Sequence, residues 1–177
     1  HFELPCLNLF NPAVRSYLFD VIRFWVDEFD IDGIRLDCAN VLDFNFMKEM
    51  RQETARMKED FWLMGEVIHG DYSRWVNPQM LHSVTNYELH KSLYSGFNDH
   101  NFFEIAHNVR RLEAIGRQLY TFVDNHDEDR IASKLKLKEH LIPIYLCLFT
   151  LPGIPSIYYG GEWGVEGKRT STSDEAL

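Results

Sequence analysis

Residues 32–40 read DGIRLDCAN, a short apolar segment that ends at a carboxylate. Within it, Gly33–Leu36 is apolar except for Arg35, and Asp37 follows directly. An apolar run of this length is typical of a strand buried on both faces of a parallel sheet. Because such a strand has no place for a carboxylate in its middle, we expect Asp37 at the carboxyl end of the strand, where α/β sheets carry their active sites.

Two later stretches repeat this pattern. Phe61–Gly65 is an apolar run that precedes Glu66. Leu119–Val123 precedes the sequence DNHD, which ends at Asp127. Since parallel strands present their carboxyl ends at one edge of a sheet, the three runs are predicted to bring Asp37, Glu66 and Asp127 to the same rim.

Helical patterns separate the predicted strands. Asn11 and Pro12 can serve as the N-cap and first residue of a helix with one buried apolar face, and Asp43 can cap a second helix. Later helices are predicted at residues 89–94, 103–112 and 139–150, and short strands at residues 83–87 and 153–160. Strands that alternate with helices indicate βαβ units and a parallel sheet, so the predicted fold class is α/β.

The composition is ordinary for a globular domain with an acidic surface. The chain has 177 residues, of which 45% are hydrophobic and 25% charged, and this length suggests one domain. The net charge of −9 argues against nucleic acid or a membrane as a partner and favours a neutral substrate. Three widely spaced cysteines, without a CxxC pair, give neither a zinc signature nor a disulfide framework.

The motifs resemble the α-amylase family of retaining glycoside hydrolases. RLD at 35–37 resembles the nucleophile strand of that family, GEV at 65–67 its acid/base strand, and FVDNHD at 122–127 its third-carboxylate strand, in the same order. LPCLN at 4–8 and IYYGGEWG at 157–164 extend the resemblance over nearly the whole chain.

The resemblance implies a (β/α)8 barrel, which usually needs about 250 residues. The first three strands of the family have no counterpart here, so we expect a partial TIM barrel made of about strands four to eight with their helices. Residues 1–177 would then be one incomplete domain, the C-terminal portion of a catalytic barrel. The exposed edges of an incomplete barrel must be covered by a second copy of the chain or by a terminal segment that folds across the gap, and we favour a homo-oligomer, because a large exposed apolar patch is rarely tolerated in a monomer.

The resemblance assigns Asp37 as the nucleophile and Glu66 as the acid/base of a double displacement. Their carboxyl groups should lie about 5 to 5.5 Å apart. Arg35 is on the same strand face as Asp37 and is expected to keep that carboxylate ionised. Glu66 follows an apolar run and has no basic neighbour in sequence, so an apolar setting is expected to keep its proton available. Cys38 is expected to pack in the core rather than take part in catalysis.

The resemblance also implies substrate contacts. His126 and Asp127 resemble the pair that hydrogen-bonds the sugar at the cleavage point, although an Asn-His-Asp string equally fits an Asx turn. Asn40 and the LPCLN stretch resemble the cyclomaltodextrinase, neopullulanase and maltogenic amylase branch, which commonly has Trp at the position of Ile68. His69 is a candidate for the leaving-group side. The family motif that helps to bind calcium in many members is absent, so we expect no metal and no cofactor.

The implied activity is hydrolysis of α-glucosidic bonds in maltooligosaccharides and related α-glucans, with transglycosylation as an alternative outcome. We expect an α-glucan oligosaccharide as the substrate, a cytoplasmic location for the parent protein, and little activity in the fragment itself. Two other hypotheses are compatible with the sequence: a non-catalytic amylase-like interaction subunit, and a family member that acts on sucrose or α-1,6-glucosides. The three carboxylates favour an enzyme, since non-catalytic chains of this type lose them.

Overall fold

The chain forms two compact units in a computed structural model that describes residues 5–170, 173 and 177. Of these residues, the first unit takes those up to Val67 together with Asp71–Val84, and the second takes Ile68–Gly70 and those from Thr85 onward. Leu4, the first residue of the LPCLN motif, lies outside the described residues. That residues 1–177 form one incomplete barrel domain stays a prediction.

In the part of the chain that the structure describes, the first unit is a parallel three-stranded sheet with two α-helices. Its elements are α1 (Pro12–Phe29), β1 (Gly33–Leu36), α2 (Phe44–Met57), β2 (Trp62–Gly65) and β3 (Ser83–Val84). The strand order is β1-β2-β3, and Leu36 of β1 pairs with Gly65 of β2. The predicted alternation of helices with parallel strands is therefore confirmed in this unit.

Helix α1 begins and ends through local hydrogen bonds. Asn11 Oδ1 accepts the Ala13 N–H at 2.9 Å, and Pro12 occupies the first helical position, as predicted. Asp30 ends the helix in the left-handed region at φ 51°, where its N–H donates to the Val26 carbonyl. The chain then continues into β1, which begins at Gly33.

The apolar face of α1 is only partly buried, contrary to the expectation from its sequence. Phe19 and Ile22 are buried, and the Phe19 ring stacks on Phe46 of α2 at 5.5 Å. Trp25 and Phe29, by contrast, are 46% and 59% exposed. The 3.6-residue period identifies an apolar stripe on a helix, but what covers that stripe depends on tertiary packing.

Helix α2 follows its predicted pattern closely. Asp43 Oδ1 accepts the Phe46 N–H at 2.8 Å and caps the helix. Phe46, Met47 and Met50 are buried, with at most 3% of their surface exposed. Because methionine and phenylalanine at this spacing lie on one face, α2 packs that face inward and exposes its charged residues.

Within its described residues, the second unit combines four α-helices with two short strands. Its elements are α3 (Tyr87–Asp99), α4 (Phe103–Arg111), β4 (Tyr120–Thr121), α5 (Ile131–Lys134), α6 (Leu141–Thr150) and β5 (Ile154–Pro155). Strands β4 and β5 are parallel, and Tyr120 pairs with Ile154. Its core contains Leu89, Leu93, Val123, Ile131, Ile144 and Leu148. No helix among the described residues is both long and apolar enough to cross a membrane.

Three predicted strands are shorter in the structure than in the sequence analysis. The strand predicted at 83–87 ends at Val84, because Asn86 caps α3 by accepting the Leu89 N–H at 2.9 Å. The strand predicted at Leu119–Val123 is reduced to β4, and the one predicted at 153–160 to β5. Apolar runs locate these strands, whereas caps and turns determine where they end.

Candidate active site

Asp37 and Glu66 directly follow β1 and β2. Since these strands are parallel and Leu36 pairs with Gly65, both carboxylates leave the same end of the sheet. The Glu66 N–H continues the ladder by donating to the Leu36 carbonyl at 2.8 Å. Carboxylate oxygens of Asp37 and Glu66 come within 4.8 Å of each other. The carboxyl ends of two neighbouring strands thus carry a close carboxylate pair.

Gly65 allows the chain to pack tightly just before Glu66. A Cβ at this position would lie 2.6 Å from Leu81 Cδ1 and 2.7 Å from Ala39 Cβ, closer than real side chains approach. On the other side, the Ala39 N–H donates to the Glu66 carbonyl at 2.9 Å. The turn that follows β1 is therefore fastened to the residue that follows β2.

Arg35 lies between the two carboxylates. Its Nη1 is 3.3 Å from Asp37 Oδ1, and its Nη2 is 3.0 Å from Glu66 Oε2. The Cys38 N–H also donates to Glu66 Oε2, at 3.2 Å. No basic residue lies beside Glu66 in sequence, but Arg35 contacts it in space, so the expectation of an apolar setting for Glu66 is wrong. The parallel register pairs Arg35 with Met64, and from there the guanidinium reaches across to the neighbouring strand.

The two carboxylates differ strongly in exposure. The Asp37 side chain is 76% exposed, whereas the Glu66 side chain is only 8% exposed. An exposed carboxylate can be approached by a substrate from solvent. Glu66 is instead enclosed, and its Oε2 contacts both the Arg35 guanidinium and the Cys38 N–H.

Cys38 is exposed, so its predicted place in the core is wrong. The strand pattern ends at Asp37, and Cys38 adopts a left-handed conformation with φ 45° that starts a 3-10 turn at Ala39–Val41. Desolvation, with the negative charges of Asp37 and Glu66, raises the pKa of the Cys38 thiol. A thiol with a raised pKa is a poor nucleophile near neutral pH.

A cation is disfavoured at the carboxylate pair, although the donor atoms are close together. One ligand atom each from Asp37, Cys38 and Glu66 lies within 4.8 Å of the others. The Arg35 guanidinium already contacts both carboxylates, so a metal ion would have to compete with it for their oxygens. The thiol would also have to lose a proton that its neighbours help it to keep.

The DNHD sequence forms an Asx turn in the second unit. Asn125 Oδ1 accepts the Asp127 N–H at 2.9 Å, and Asn125 Nδ2 donates to Tyr87 Oη at 3.0 Å. His126 Nε2 lies 3.0 Å from Asp127 Oδ2, and these two side chains are 54% and 38% exposed. The same residues therefore form an Asx turn and also present His126 and Asp127 to solvent.

Partly buried polar contacts that the sequence analysis missed surround this turn. Glu128 accepts a hydrogen bond from Lys134 and faces His90 Nε2 at 3.5 Å. The hydrogen bond with His90 and the contacts with Lys134 lower the pKa of Glu128 to about 2. Arg130 donates from Nη1 to the Tyr159 carbonyl at 2.8 Å. The charged residues directly after the motif, Glu128 and Arg130 among them, are a sequence signal that could have pointed to these contacts.

Asn40 and His69 are the two further candidates for sugar binding. Asn40 is exposed in the 3-10 turn after Asp37. His69 belongs to the second unit and lines a groove of about 480 Å³ there, together with Ile68 and residues of α3 and α4. The sugar-binding roles of Asn40 and His69 stay predictions, as does the approach of Asp127 to the carboxylate pair.

Residues 1–176 match the family model of the α-amylase catalytic domain. The chain belongs to this family. It is 32% identical over 174 residues to an intracellular maltogenic amylase of Bacillus subtilis, and the match covers 94% of this chain. It is 34% identical over 172 residues to neopullulanase 2 of Thermoactinomyces vulgaris, covering 93% of this chain. In both cases it spans 29% of the relative's length.

Solved structures of the α-amylase family share the fold of this chain. The Anoxybacillus α-amylase matches with a TM-score of 0.85 and 29% identity, over 99% of this chain and 42% of that one. A cyclic α-maltosyl-(1→6)-maltose hydrolase from Arthrobacter globiformis in complex with maltose matches with a TM-score of 0.83 and 28% identity, over 94% and 40%. The α-amylase-family chain therefore has the fold of part of a (β/α)8 barrel enzyme.

Proposed function

We propose that this chain carries the catalytic carboxylates of an enzyme that cleaves α-glucosidic bonds with retention. The observation that carries this proposal is the short separation of Asp37 and Glu66, whose carboxylate oxygens come within 4.8 Å. Retaining glycosidases hold their two carboxyl groups about 5 to 5.5 Å apart, whereas inverting enzymes leave about 6.5 to 9.5 Å for a water molecule. The separation here supports the retaining arrangement.

In the proposed reaction, the exposed Asp37 is the nucleophile. Its oxygen bonds to the anomeric carbon while the glycosidic C–O bond breaks, and the leaving oxygen takes the proton of Glu66. Glu66 then removes a proton from water, whose oxygen attacks the anomeric carbon and releases Asp37. Arg35 contacts both carboxylates and would hold their relative position through the two steps.

The substrate contacts are proposed from the family resemblance. His126 and Asp127 would hydrogen-bond the sugar at the cleavage point, and their exposure supports this role. Asn40 and His69 would contact other parts of the saccharide. The relatives named maltogenic amylase and neopullulanase, and the maltose complex of a solved relative, favour maltooligosaccharides and related α-glucans as substrates.

The proposal extends to the barrel position, location and assembly of the parent protein. We assign the chain to about strands four to eight of the barrel, because its motifs occur in the family's order. The name of the Bacillus subtilis relative, an intracellular enzyme, favours a cytoplasmic location. Self-association through exposed strand edges is proposed from general physical principles.

Product stereochemistry tests the proposed function. The intact protein that carries this chain should be incubated with maltotriose and a cyclodextrin, and the first-formed anomer read by proton NMR. We expect the α-anomer. A β-anomer would contradict the retaining assignment, and no turnover on any α-glucoside would favour the non-catalytic interaction subunit. Turnover of only sucrose or an α-1,6-glucoside would assign the chain to a family member with that substrate specificity.

A further inference from the structure

A buried carboxyl joins the two ends of the loop that carries His126 and Asp127. Asp124, only 1% exposed, stands at the start of this loop. Its Oδ2 accepts the N–H of Ile131, the first residue of α5, at 2.9 Å. The hydrogen bond therefore closes residues 125–130 into a loop with a fixed base.

The surroundings of this carboxyl are enclosed. Asp124 Oδ1 and Tyr145 Oη are both buried and make no hydrogen bond within the described part of the chain. They face Gly161, where a Cβ would lie 3.4 Å from Asp124 Oδ1 and would collide with the Tyr145 hydroxyl. Burial raises the pKa of Asp124. An apolar side chain could fill this space without that desolvation, but it would leave the Ile131 N–H without its acceptor.

The loop is braced from inside while its tip faces solvent. Asn125 is held by Tyr87, and the guanidinium of Arg130 lies 4.1 Å from the centre of the Tyr158 ring. Glu128 accepts a hydrogen bond from Lys134. These contacts leave His126 and Asp127 as the exposed pair between braced residues.

We propose that Asp124 is a positioning residue for saccharide binding: its carboxyl holds the loop closed through the Ile131 N–H, so that His126 and Asp127 meet the sugar in one orientation. The inference rests on the proposed function, which supplies the sugar contact, and Asp124 itself does not touch substrate. Displacing binding groups by about 1 Å can cost on the order of 100-fold in rate, so the closure of the loop matters for turnover.

Two independent substitutions remove the same hydrogen bond. Asp124→Leu removes the acceptor and keeps the same branched side-chain skeleton, and Ile131→Pro removes the donor. Proline suits this position, because Arg130 before it has φ −53° and ψ 137°, and the first helical residue needs no N–H for the helix. Ile131→Val is the matched control, since it keeps the N–H and much of the side chain. Asp124→Asn keeps an acceptor and is the rescue variant.

Turnover of maltotriose should be measured in the intact protein. We expect Asp124→Leu and Ile131→Pro each to lower kcat/KM by about 10- to 100-fold, and Asp124→Asn and Ile131→Val to stay within about threefold of the parent. The double variant Asp124→Leu/Ile131→Pro should be no worse than the poorer single variant, because both changes remove one interaction. Additive losses, or an Asp124→Asn loss as large as that of Asp124→Leu, would overturn the inference.

Amide hydrogen exchange provides a readout that does not depend on activity. In the 177-residue chain, the Asp127 N–H should exchange at least about tenfold faster in Ile131→Pro than in Ile131→Val, because the Asx turn loses its closed base. Equal exchange in these two variants would overturn the inference even if Asp124→Leu fails to fold. If the intact parent protein turns over no α-glucoside, the proposed function fails, while the exchange comparison still decides whether Asp124 closes the loop.

Discussion

Arg35 illustrates how strand register determines the surroundings of a catalytic candidate. In the sequence, Arg35 lies two residues before Asp37 and far from Glu66. Pairing of β1 with β2 places Arg35 opposite Met64, and its guanidinium then contacts Glu66 at 3.0 Å as well as Asp37 at 3.3 Å. A single cation therefore couples the two carboxylates, which a reading along one strand could not reveal.

Asp37→Asn in the intact protein should abolish turnover. The amide keeps the shape of the side chain but cannot form the covalent intermediate, and losses of at least ~10⁴-fold accompany removal of such groups in other hydrolases. Asp32→Asn is the matched control, because Asp32 starts the same stretch but is 86% exposed and pairs with Lys58 at the surface. Steady-state kinetics on maltotriose checks both variants, and a lasting activity in Asp37→Asn would contradict the nucleophile assignment.

Glu66→Gln should separate substrates by their leaving groups. Protonation by a general acid contributes about 10²- to 10⁴-fold, so cleavage of maltooligosaccharides should fall by that factor. The first step on an aryl maltoside with an acidic phenol should be nearly unaffected, since that leaving group needs no proton. Burst kinetics would detect the accumulated glycosyl-enzyme. Equal losses on both substrates would show that Glu66 is not the acid/base.

At the level of elements, hydrogen-bonding residues decide where helices and strands end. Apolar runs predict β1 and β2 nearly to the residue, because each run is followed at once by a charged side chain. The strand predicted at 83–87 fails in its second half, since Asn86 begins α3 instead. The loop after β4 is held by residues of α3 and α5, and Glu128 connects it to both through His90 and Lys134.

Glu128 should make stability depend on acidity. Its pKa is lowered from 4.5 to about 2 in the folded chain, so the unfolded chain binds the proton more readily. The resulting stabilisation is complete above about pH 4.5 and is lost as the pH falls towards 2. Urea unfolding from pH 7 to pH 2 should show the parent more stable than Glu128→Gln at neutral pH, with the difference vanishing at the acid end.

The exposed Glu166 provides the control for that experiment. It pairs with Lys138 at 2.6 Å, but its side chain is 56% exposed. Because solvent screens exposed pairs, Glu166→Gln should change the free energy of unfolding little at any pH. A pH-independent difference between the parent and Glu128→Gln would mean that the Glu128 carboxylate does not contribute through its charge.

For the whole molecule, the exposed apolar residues predict self-association of the isolated chain. On α6, Ile142 is 80% and Leu146 63% exposed, and on α1, Tyr17 is 68% exposed. Large exposed apolar patches are uncommon in monomers. Sedimentation velocity over a concentration series should show dimers or larger species. Ile142→Lys should shift the distribution towards monomer, whereas Lys136→Arg, a conservative change of an exposed residue, should leave it unchanged. A monomer at every concentration would contradict this expectation.

The local sequence by itself determines the helix starts, the parallel strands and the carboxylates that follow them. Asn11, Asp43 and the Gly33–Leu36 run act through neighbours a few residues away, so periodicity and capping rules suffice to locate them.

Only the tertiary structure decides what surrounds these groups. Arg35 reaches Glu66 through the register of two strands, Cys38 leaves the core because the chain turns after Asp37, and Lys134 meets His90 across 44 residues of sequence. Burial and electrostatic contact depend on distance in space, which the order of residues along the chain does not contain. For that reason the positions of Asp37 and Glu66 at the ends of β1 and β2 could be predicted, whereas the charged groups and hydrogen-bond donors around them could not.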